Sequence, residues 1–503
     1  VHHDRAAEPA VRAAARMAER WVARLSPAFG GHAFAARKPV ILYTNHPDFA
    51  QTTLSPGPLG EGTRGFAEGA RDRLVMPLAS SPAETDHVLG HEVVHLFQFD
   101  VAERAAGGTG RLLALPLWFV EGHAEYLSLG RRDPNTALWL RGALARGRLP
   151  AVAQLNDPAF FPYRYGHAFW AYVGGRWGDE AVNALFRAAL SAGVEGGIAA
   201  ALGTTGAQLS EDWHAAVRAE YGPALADREL PGDAGRAVFG AEGAGAGLAL
   251  APALSPDGTR AALYTRTSPW GVDLVLGDPA TGRLVRSLGA SALDAHAEAL
   301  SFLYASGAWS PDGARFAHVV VRKGSHELAV TDVATGRLVR RVRLGGVQAV
   351  SGVAWSPDGG RLAVAGTRHG QPDLFVHDLA LGQTRQVTDD PHAELQPAWS
   401  PDGRYVAVAT DRGPGADAEA LAFGRLRLAL VDPVGGRVRV LPVPAALAGA
   451  RLSNPQFAPD GRWLYFVGDP GGVADLFRMR VPRTAAAASR AAARALTPRE
   501  AAE

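Results

Sequence analysis

The sequence contains no cysteine in its 503 residues. This excludes disulfides, thiolate metal ligands and a cysteine nucleophile, but it does not settle the compartment, because secreted proteins can also lack cysteine. Lysine is almost absent too, with Lys38 and Lys323 alone, so arginine supplies nearly all the positive charge. Basic and acidic residues balance at 51 and 50, which leaves no overall field to attract nucleic acid or an anionic membrane.

Long apolar runs are absent as well. No run approaches the roughly 18 residues that a membrane-spanning helix needs, so we predict no membrane span in this chain. A starting methionine is also missing, since the first residue is Val1, and no signal peptide is visible. We expect the natural N-terminus to lie upstream of this sequence.

Differences in composition and sequence pattern divide the chain into three parts. A chain of 503 residues is too long for one ordinary core, and 47% apolar residues are typical of a folded protein. Residues 1–225 mix helical and short extended patterns, residues 226–247 are rich in Gly and Ala, and residues 248–503 are repetitive. We therefore predict a multidomain protein, with an α+β domain, a linker and an all-β domain in that order.

A helix predicted to start at Ser81 carries a dense set of metal-ligand residues. Ser81 is a good N-cap and Pro82 suits the first helical position. His91 and His95 are four residues apart, hence on nearly the same face, and both imidazoles can reach one ion. Glu92 lies beside them and is suited to accept a proton from a metal-activated water.

A second predicted helix, which starts near residue 116, contributes the third ligand. Two histidines leave zinc short of its usual three protein ligands and water. Glu121 supplies a carboxylate, and Glu125 follows one turn later, where it can hold a ligand imidazole through the other ring nitrogen. His123 is an alternative ligand, but it lies two positions from Glu121 and so on roughly the opposite face.

Weaker patterns surround these two helices. A candidate edge strand is predicted at 73–76, another strand at 39–43, and the Gly/Pro-rich residues 55–70 between them are predicted to form a loop. The metal-motif helix is predicted to end near residue 105, and further helices are predicted at 12–25, 166–175, 179–189 and 210–221.

The second half of the chain repeats a Ser-Pro-Asp-Gly turn. The turn starts at Ser255, Ser310, Ser356 and Ser400, with Ala458 as a variant, at spacings of 44 to 58 residues. Proline in the second position followed by Asp and Gly favours a tight turn between strands. Four short strands per unit at this period are typical of propeller blades.

Five blades can be counted in the residues after 248. Residues 411–424 look like an insertion in the fourth blade. The final residues, 495–503, match the segment that precedes a turn in an earlier repeat, so we expect a sixth blade to be missing from this sequence. The recurring tryptophans Trp309, Trp355 and Trp399 are predicted to be core residues rather than a ligand cage.

Residues 81–126 resemble gluzincin metallopeptidases of the peptidase-MA-like group. Members of this group pair HExxH on one helix with W-x-x-E-G-x-A-E-Y on the next. The resemblance implies a zincin-like α+β fold and zinc as cofactor, with the two His of the first motif, His91 and His95, and Glu121 as ligands and Glu92 as base. The exopeptidase motif Gly-Ala-Met-Glu-Asn is not apparent, which favours an endopeptidase.

The same resemblance implies a group that stabilises the oxyanion. Related enzymes use a tyrosine or histidine for this purpose. The segment 163–169 is similar to a downstream helix start in the group, which makes Tyr165 the candidate and His167 the alternative.

The repeat resembles the WD40-like (PD40) blades of TolB-type propellers. The joint arrangement implies a zinc peptidase whose propeller binds protein substrates or docks a protein partner. Such pairings suggest an exported protein, periplasmic or extracellular. The alternative hypothesis is a non-catalytic scaffold, in which the propeller binds partners and the zinc domain is structural or degenerate.

Overall fold

The computed structural model has a helical N-terminal region and a β-rich C-terminal region. It describes residues 7–55, 59–105, 108–226, 228, 235–240, 248–268, 271–289, 299–300, 307–481 and 493–495.

The described part of the N-terminal region contains a small sheet and a set of α-helices. The strands are β1 (Val40–Tyr43), β2 (Phe66–Glu68) and β3 (Arg73–Pro77). The helices are α1 (Glu8–Ala28), α2 (His46–Ala50), α3 (Pro82–Arg104), α4 (Thr109–Leu113), α5 (Leu117–Leu129), α6 (Pro134–Ala145), α7 (Pro162–Trp177), α8 (Asp179–Leu202) and α9 (Gly206–Ala226).

The small sheet corrects two predictions. Its order is β1-β3-β2, with β3 parallel to β1 and antiparallel to β2. The strand predicted to lie at an edge, 73–76, is therefore the central strand. The segment 55–70, predicted to be a loop, contains the edge strand β2, which is too short at three residues to produce an alternating pattern.

Helix α3 begins as its sequence predicts. The Ser81 hydroxyl accepts a hydrogen bond from the Glu84 N–H at 3.2 Å, and Pro82 is the first helical residue. The helix is buried along most of its length, so it lies in the core rather than on the surface. Elsewhere the predicted helices are shorter than the observed ones, and α2, α4 and α6 were not predicted.

Helix α8 is, among the described helices, the one long and apolar enough to cross a membrane. No uninterrupted apolar run in the sequence indicated that α8 meets this criterion. Core helices commonly meet the same criterion, and Val182, Leu185, Phe186 and Ile198 of α8 are buried in the helical core. Gly193 interrupts the helix with a φ of +71°.

The described residues of the β-rich region form five mainly four-stranded antiparallel sheets, here called blades 1 to 5. Blade 1 comprises β4 (Ala249–Leu254), β5 (Ala261–Ser268), β6 (Gly271–Gly277) and β7 (Leu284–Gly289). Blade 2 comprises β8 (Ala299–Leu300), β9 (Ala308–Trp309), β10 (Arg315–Arg322), β11 (Ser325–Asp332) and β12 (Leu338–Val342). Blade 3 comprises β13 (Ala349–Trp355), β14 (Arg361–Arg368), β15 (Gln371–Asp378) and β16 (Gln383–Gln386). Blade 4 comprises β17 (Glu394–Trp399), β18 (Val406–Thr410), β19 (Arg427–Val431) and β20 (Val438–Val440), and blade 5 comprises β21 (Leu452–Phe457), β22 (Trp463–Gly468), β23 (Asp475–Arg480) and β24 (Ala493–Ala495).

The repeated turns connect the first and second strands of each blade. In blade 3 the N–H of Gly359 donates to the carbonyl of Ser356 at 2.9 Å, and Gly359 has a φ of +71°, which glycine adopts without strain. The Ser356 hydroxyl donates to Asp358, whose other contacts are within the turn. Turn chemistry therefore accounts for these aspartates.

The recurring tryptophans join neighbouring blades. The indole N–H of Trp309 donates to the Ala253 carbonyl at 2.8 Å, and that of Trp355 donates to the Ala308 carbonyl at 3.1 Å. Trp399 makes the same contact with the preceding blade at 3.2 Å. Each tryptophan is thus a structural residue between blades.

The insertion 411–424 of blade 4 packs against the helical region. The Arg16 guanidinium donates to the Glu419 carbonyl at 2.9 Å, and the Arg20 guanidinium donates to the Leu421 carbonyl at 2.7 Å. The Leu421 side chain is 9% exposed and belongs to the hydrophobic core of the helices. The insertion therefore anchors α1 to the propeller.

Other loops between the second and third strands of the blades make similar contacts. The Gln51 amide donates to the Gly324 carbonyl at 3.0 Å, and Arg228 pairs with Asp475 at 2.8 Å. Gly370 packs so closely on Leu78 that an added Cβ would lie 2.3 Å from a leucine carbon. The helical region consequently covers one face of the propeller.

A buried carboxyl group, Asp373, lies between blades 3 and 4. The Thr388 hydroxyl is 2.6 Å from Glu394 and 3.2 Å from Asp373, and it already accepts from the Leu374 N–H at 2.9 Å. The hydroxyl has one proton to donate, so it cannot satisfy two carboxylates. Arg412 pairs with Glu394, and the Gln386 amide donates to Asp373 at 2.9 Å. Burial together with the Glu394 charge nevertheless raises the pKa of Asp373 to about 7, and burial raises the pKa of Glu394 to about 7 as well.

We predict that Asp373→Asn stabilises the protein above neutral pH. A raised pKa means that the folded state retains a proton which the unfolded chain releases near pH 4, so stability is lost as pH rises from about 4 through about 7. The amide can donate to Thr388 without a charge, and the free energy of unfolding at pH 8 should rise by roughly 1–3 kcal/mol. Urea unfolding at pH 5 and pH 8 measures this.

The control for this prediction is Asp378→Asn at the end of the same strand. The Asp378 carboxylate accepts N–H groups of a turn at 2.8 and 2.9 Å, and an amide oxygen can replace it there. Equal stability of Asp373→Asn and the wild type at both pH values would show that Asp373 is ionised in the folded protein.

Candidate metal centre

Helices α3 and α5 bring His91, His95 and Glu121 together. The Nε2 atoms of the two histidines are 3.1 Å apart, and Oε2 of Glu121 lies 3.0 Å from the first and 3.2 Å from the second. All three side chains are mostly buried. Among the described residues this is the group whose ligand atoms could all hold one metal ion.

The geometry of the three atoms fits zinc. Ligand atoms at about 2.0–2.1 Å from zinc and at tetrahedral angles lie about 3.3 Å from one another. The observed separations of 3.0 to 3.2 Å are close to this value. Two imidazole nitrogens and one carboxylate oxygen are also a donor set typical of catalytic zinc.

An oxygen atom of another side chain lies beside the other ring nitrogen of each histidine. Nδ1 of His91 lies 3.1 Å from Oε1 of Glu125, as predicted for a residue that orients a ligand imidazole. Nδ1 of His95 donates to the Gln98 side-chain oxygen at 2.7 Å. Both Nε2 atoms therefore face the same point.

The support of His95 extends to His123, which the sequence offered as an alternative ligand. The Gln98 amide nitrogen donates to the Val120 carbonyl and to Nδ1 of His123, both at 3.0 Å. The His123 ring stacks on Phe186 at 4.6 Å on the far side of α5. Burial and the nearby His95 lower the pKa of His123 to about 3, so the ring is neutral and structural.

Gln98 was not identified from the sequence. The available signal was its position, three residues after His95 and thus on the neighbouring part of the same helical face. A fully hydrogen-bonded glutamine can also be an ordinary core residue. The position of Gln98 alone therefore did not show whether it supports the ligand His95 or only fills the core.

The electrostatics of the centre favour a cation. Burial lowers the pKa of His91, but the contacts with Glu121 and Glu125 outweigh it and raise the pKa to about 10. Burial raises the pKa of Glu121, but the two histidines hold it well below its usual range. The carboxylates thus keep a positive charge on the imidazoles, which a metal ion can replace.

Glu92 lies within the same cleft but is not part of the cluster. It is 6% exposed, and its Oε2 has no hydrogen-bond partner among the described residues. A Cβ added to Gly65 would lie 3.1 Å from both Cγ and Oε1 of Glu92, so the absence of a side chain at this position leaves room for the carboxylate. Burial raises the pKa of Glu92.

The cluster opens into a cleft with a volume of about 950 Å³. One side is formed by Gly65, Phe66 and Ala67, which include part of the edge strand β2. Another side is apolar and exposes Leu113 and Leu117 by 75% and 58%. Phe161 continues the apolar side.

The tyrosine that faces the cluster is Tyr163, not Tyr165. The Tyr163 ring stacks on His91 at 6.0 Å and lines the cleft, and burial together with the neighbouring carboxylates raises its pKa. Tyr165 packs against Phe160 and Trp139 at 5.3 and 6.1 Å. Residues two apart on a helix point in nearly opposite directions, so only one of the two can face α3.

The alternative His167 also lies away from the cleft. Its Nδ1 is 2.9 Å from the Thr136 hydroxyl, and its Nε2 is 2.8 Å from the Gly130 carbonyl. It is 1% exposed and fully hydrogen bonded, which is the arrangement of a structural histidine. The neighbouring Arg164 does line the cleft and pairs with Glu125 at 2.9 Å.

We predict that Gln98→Leu weakens zinc binding roughly 10- to 100-fold. The substitution removes the acceptor for His95 Nδ1 and leaves the Val120 carbonyl and His123 without their donor. Competition with a chromophoric chelator measures the affinity. Gln98→Glu retains an oxygen for His95 and should therefore keep more of the zinc affinity than Gln98→Leu. Wild-type zinc affinity in Gln98→Leu would contradict a supporting role for Gln98.

Comparison with known families identifies the repeat. Residues 297–418 match the PD40 family, the TolB beta propeller domain. This segment of the chain is a TolB-like propeller. It covers blades 2 and 3 and the first two strands of blade 4. A search of curated proteins gives no match.

Solved structures similar to this chain include TolB proteins. TolB from Acinetobacter baumannii is 21% identical, with a TM-score of 0.37, over 46% of this chain and 52% of its own. A putative TolB from Agrobacterium tumefaciens is 23% identical, with a TM-score of 0.32, over 39% of this chain and 65% of its own. The chain therefore spans about half to two thirds of the length of these proteins.

Proposed function

We propose that this protein is a zinc-dependent endopeptidase. The observation that supports this best is the combination of two imidazoles and a carboxylate around one point with the buried carboxylate of Glu92 beside them. Its Oε2 has no hydrogen-bond partner in the part of the chain that the structure describes. A structural zinc site is usually closed by four protein ligands, whereas three protein ligands and an open cleft are typical of hydrolytic sites.

A zinc ion bound by His91, His95 and Glu121 would polarise a carbonyl group and lower the pKa of a bound water. Glu92 takes the proton from the attacking water through its unpartnered oxygen and then delivers it to the leaving amine. Tyr163, stacked on His91 within the cleft, donates its hydroxyl hydrogen to the carbonyl oxygen as negative charge develops there.

The edge strand β2 offers a binding site for the peptide backbone. Strand β2 pairs with β3 on one side, and within the described residues no strand pairs with its other side. An extended peptide can add to such an edge through main-chain hydrogen bonds, as in other cases of strand addition. The cleft beside Phe66 and Ala67 would then hold the scissile bond near Glu92.

The propeller supports a function on protein substrates or partners. Its TolB-like blades carry the helical region on one face, so a protein bound at the edge of that face would lie beside the helical region that contains the cleft. We propose that the propeller binds protein substrate or a protein partner, and that the protein is exported to the periplasm or outside the cell.

The test compares zinc content and peptide cleavage of the wild type and Glu92→Gln. Zinc in both proteins with cleavage by the wild type alone supports the peptidase. Zinc in both and cleavage by neither, across a mixed peptide library, supports the scaffold hypothesis instead.

A further inference from the structure

A second, smaller cavity lies between the helical region and the propeller. Its volume is about 60 Å³. The helical region contributes residues next to β3 and at the start of α3, and the propeller contributes His326, Val350 and Thr367 from blades 2 and 3. The cavity is therefore built by both domains.

This cavity adjoins the cleft of the metal centre. Arg64 and Val88 line both of them. Val88 is on α3 one turn before His91, and Arg64 precedes Gly65 and β2. The cavity therefore lies between the metal cleft and the propeller residues that line it.

The Thr367 hydroxyl marks the cavity as a binding site for a polar group. Thr367 is 4% exposed, and its Oγ1 has no hydrogen-bond partner within the described residues. The equivalent position in blade 1 is Thr265, since each threonine pairs with the first residue of the first strand of its blade. The Thr265 hydroxyl donates to the Leu248 carbonyl at 2.6 Å, so a threonine here is normally satisfied.

His326 offers a second polar group of known orientation. Its Nδ1 accepts from the Val350 N–H at 2.9 Å, so the ring proton of the neutral form resides on Nε2. Burial, with His46 nearby, lowers the pKa of His326 to about 4, which keeps the ring neutral. The charged residues among the described lining are Glu61, Arg64 and Glu84, and Arg64 is paired with Glu84 at 3.0 Å.

We propose that this cavity is a substrate subsite supplied by the propeller, which binds a small uncharged residue of the same peptide that is cleaved at the metal centre. This rests on the proposed peptidase function. A volume of about 60 Å³ holds roughly four to six non-hydrogen atoms, because one water-sized probe needs about 10–15 Å³. Serine, threonine and valine side chains, which have two or three non-hydrogen atoms, fit within this volume, and neutral partners suit the Thr367 hydroxyl and the His326 ring.

The experiment uses nested peptides built around the main cleavage site found in a digest of unfolded casein. Peptides are lengthened one residue at a time on each side. On one side, KM should fall roughly three- to tenfold when the chain becomes long enough to place a serine or threonine in the cavity. An arginine or tryptophan at that position should remove the gain.

Thr367→Val tests the hydroxyl directly. This substitution should raise the KM of the long peptides to the KM of the short peptides. The kinetics of the short peptides should not change. Because the hydroxyl is unpaired in the free protein, the midpoint of thermal unfolding should stay the same or rise. The matched control, Thr265→Val, loses a formed hydrogen bond, so its midpoint should fall while peptide kinetics do not change.

The outcomes separate the two proposals. Cleavage of short peptides with no gain on lengthening, or a gain that Thr367→Val leaves intact, overturns the subsite and leaves the peptidase standing. Such a result would mean that the cavity holds water only. No cleavage at any length overturns the peptidase, and the subsite with it.

Discussion

Glu92→Gln is expected to bind zinc with the stoichiometry of the wild type and to cleave peptides roughly 10²- to 10⁴-fold more slowly. Zinc binding should persist because the three ligand atoms belong to His91, His95 and Glu121. Cleavage should fail because a glutamine of the same shape cannot accept a proton from water. The space that Gly65 leaves for the side chain accommodates both residues.

Zinc by elemental analysis and cleavage of a mixed peptide library measure these two effects separately. Glu103→Gln is the matched control, because it makes the same change at an exposed position on the same helix. Cleavage by Glu92→Gln at the wild-type rate would remove Glu92 from the mechanism. Loss of zinc in this variant would mean that Glu92 takes part in metal binding.

Gly166→Ala is expected to lower both stability and zinc affinity. Helices α5 and α7 touch at Gly122 and Gly166, and a Cβ on Gly166 would lie 2.0 Å from the Trp118 carbonyl oxygen. The helices must separate to accept it, which we expect to cost about 3 kcal/mol or more. Glu121, next to Gly122 on α5, would move relative to the histidines on α3.

The same helix provides a control for this substitution. Gly175 is exposed on α7, and no atom lies within 4 Å of a Cβ placed there. Gly175→Ala should stabilise the protein by about 0.5–1 kcal/mol, since alanine favours the helix. Urea unfolding and zinc competition measure both variants. Unchanged zinc affinity in Gly166→Ala would show that close contact of α5 and α7 does not position Glu121.

Local signals predicted the parts of the site that lie within one helix. The start of α3 follows from Ser81 and Pro82, and the shared direction of His91 and His95 follows from helical periodicity alone. The position of Glu125 beside His91 was predicted in the same way, one turn beyond Glu121. The zinc ion and the proteolytic activity stay predictions.

The sequence was less informative about features that depend on contacts between helices and strands. Tyr163 and Tyr165 are chemically alike and lie on opposite faces of α7, so the sequence alone does not reveal which one faces α3. The edge strand β2 is too short to show a pattern and lies in a Gly/Pro-rich segment. Its role follows from pairing with β3, which is a contact between segments and not a local propensity.

The sequence by itself determined the blade repeat, its turns, and the spacing of two imidazoles and a base on one helix, because these depend on backbone geometry over a few residues. The tertiary structure alone decided which tyrosine faces the cleft, which glutamine supports His95, and that the insertion 411–424 anchors the helices to the propeller. It also decided that Thr367 and Val88, nearly 280 residues apart in the chain, line the same cavity. Such contacts arise when the whole core packs, and no local propensity encodes them.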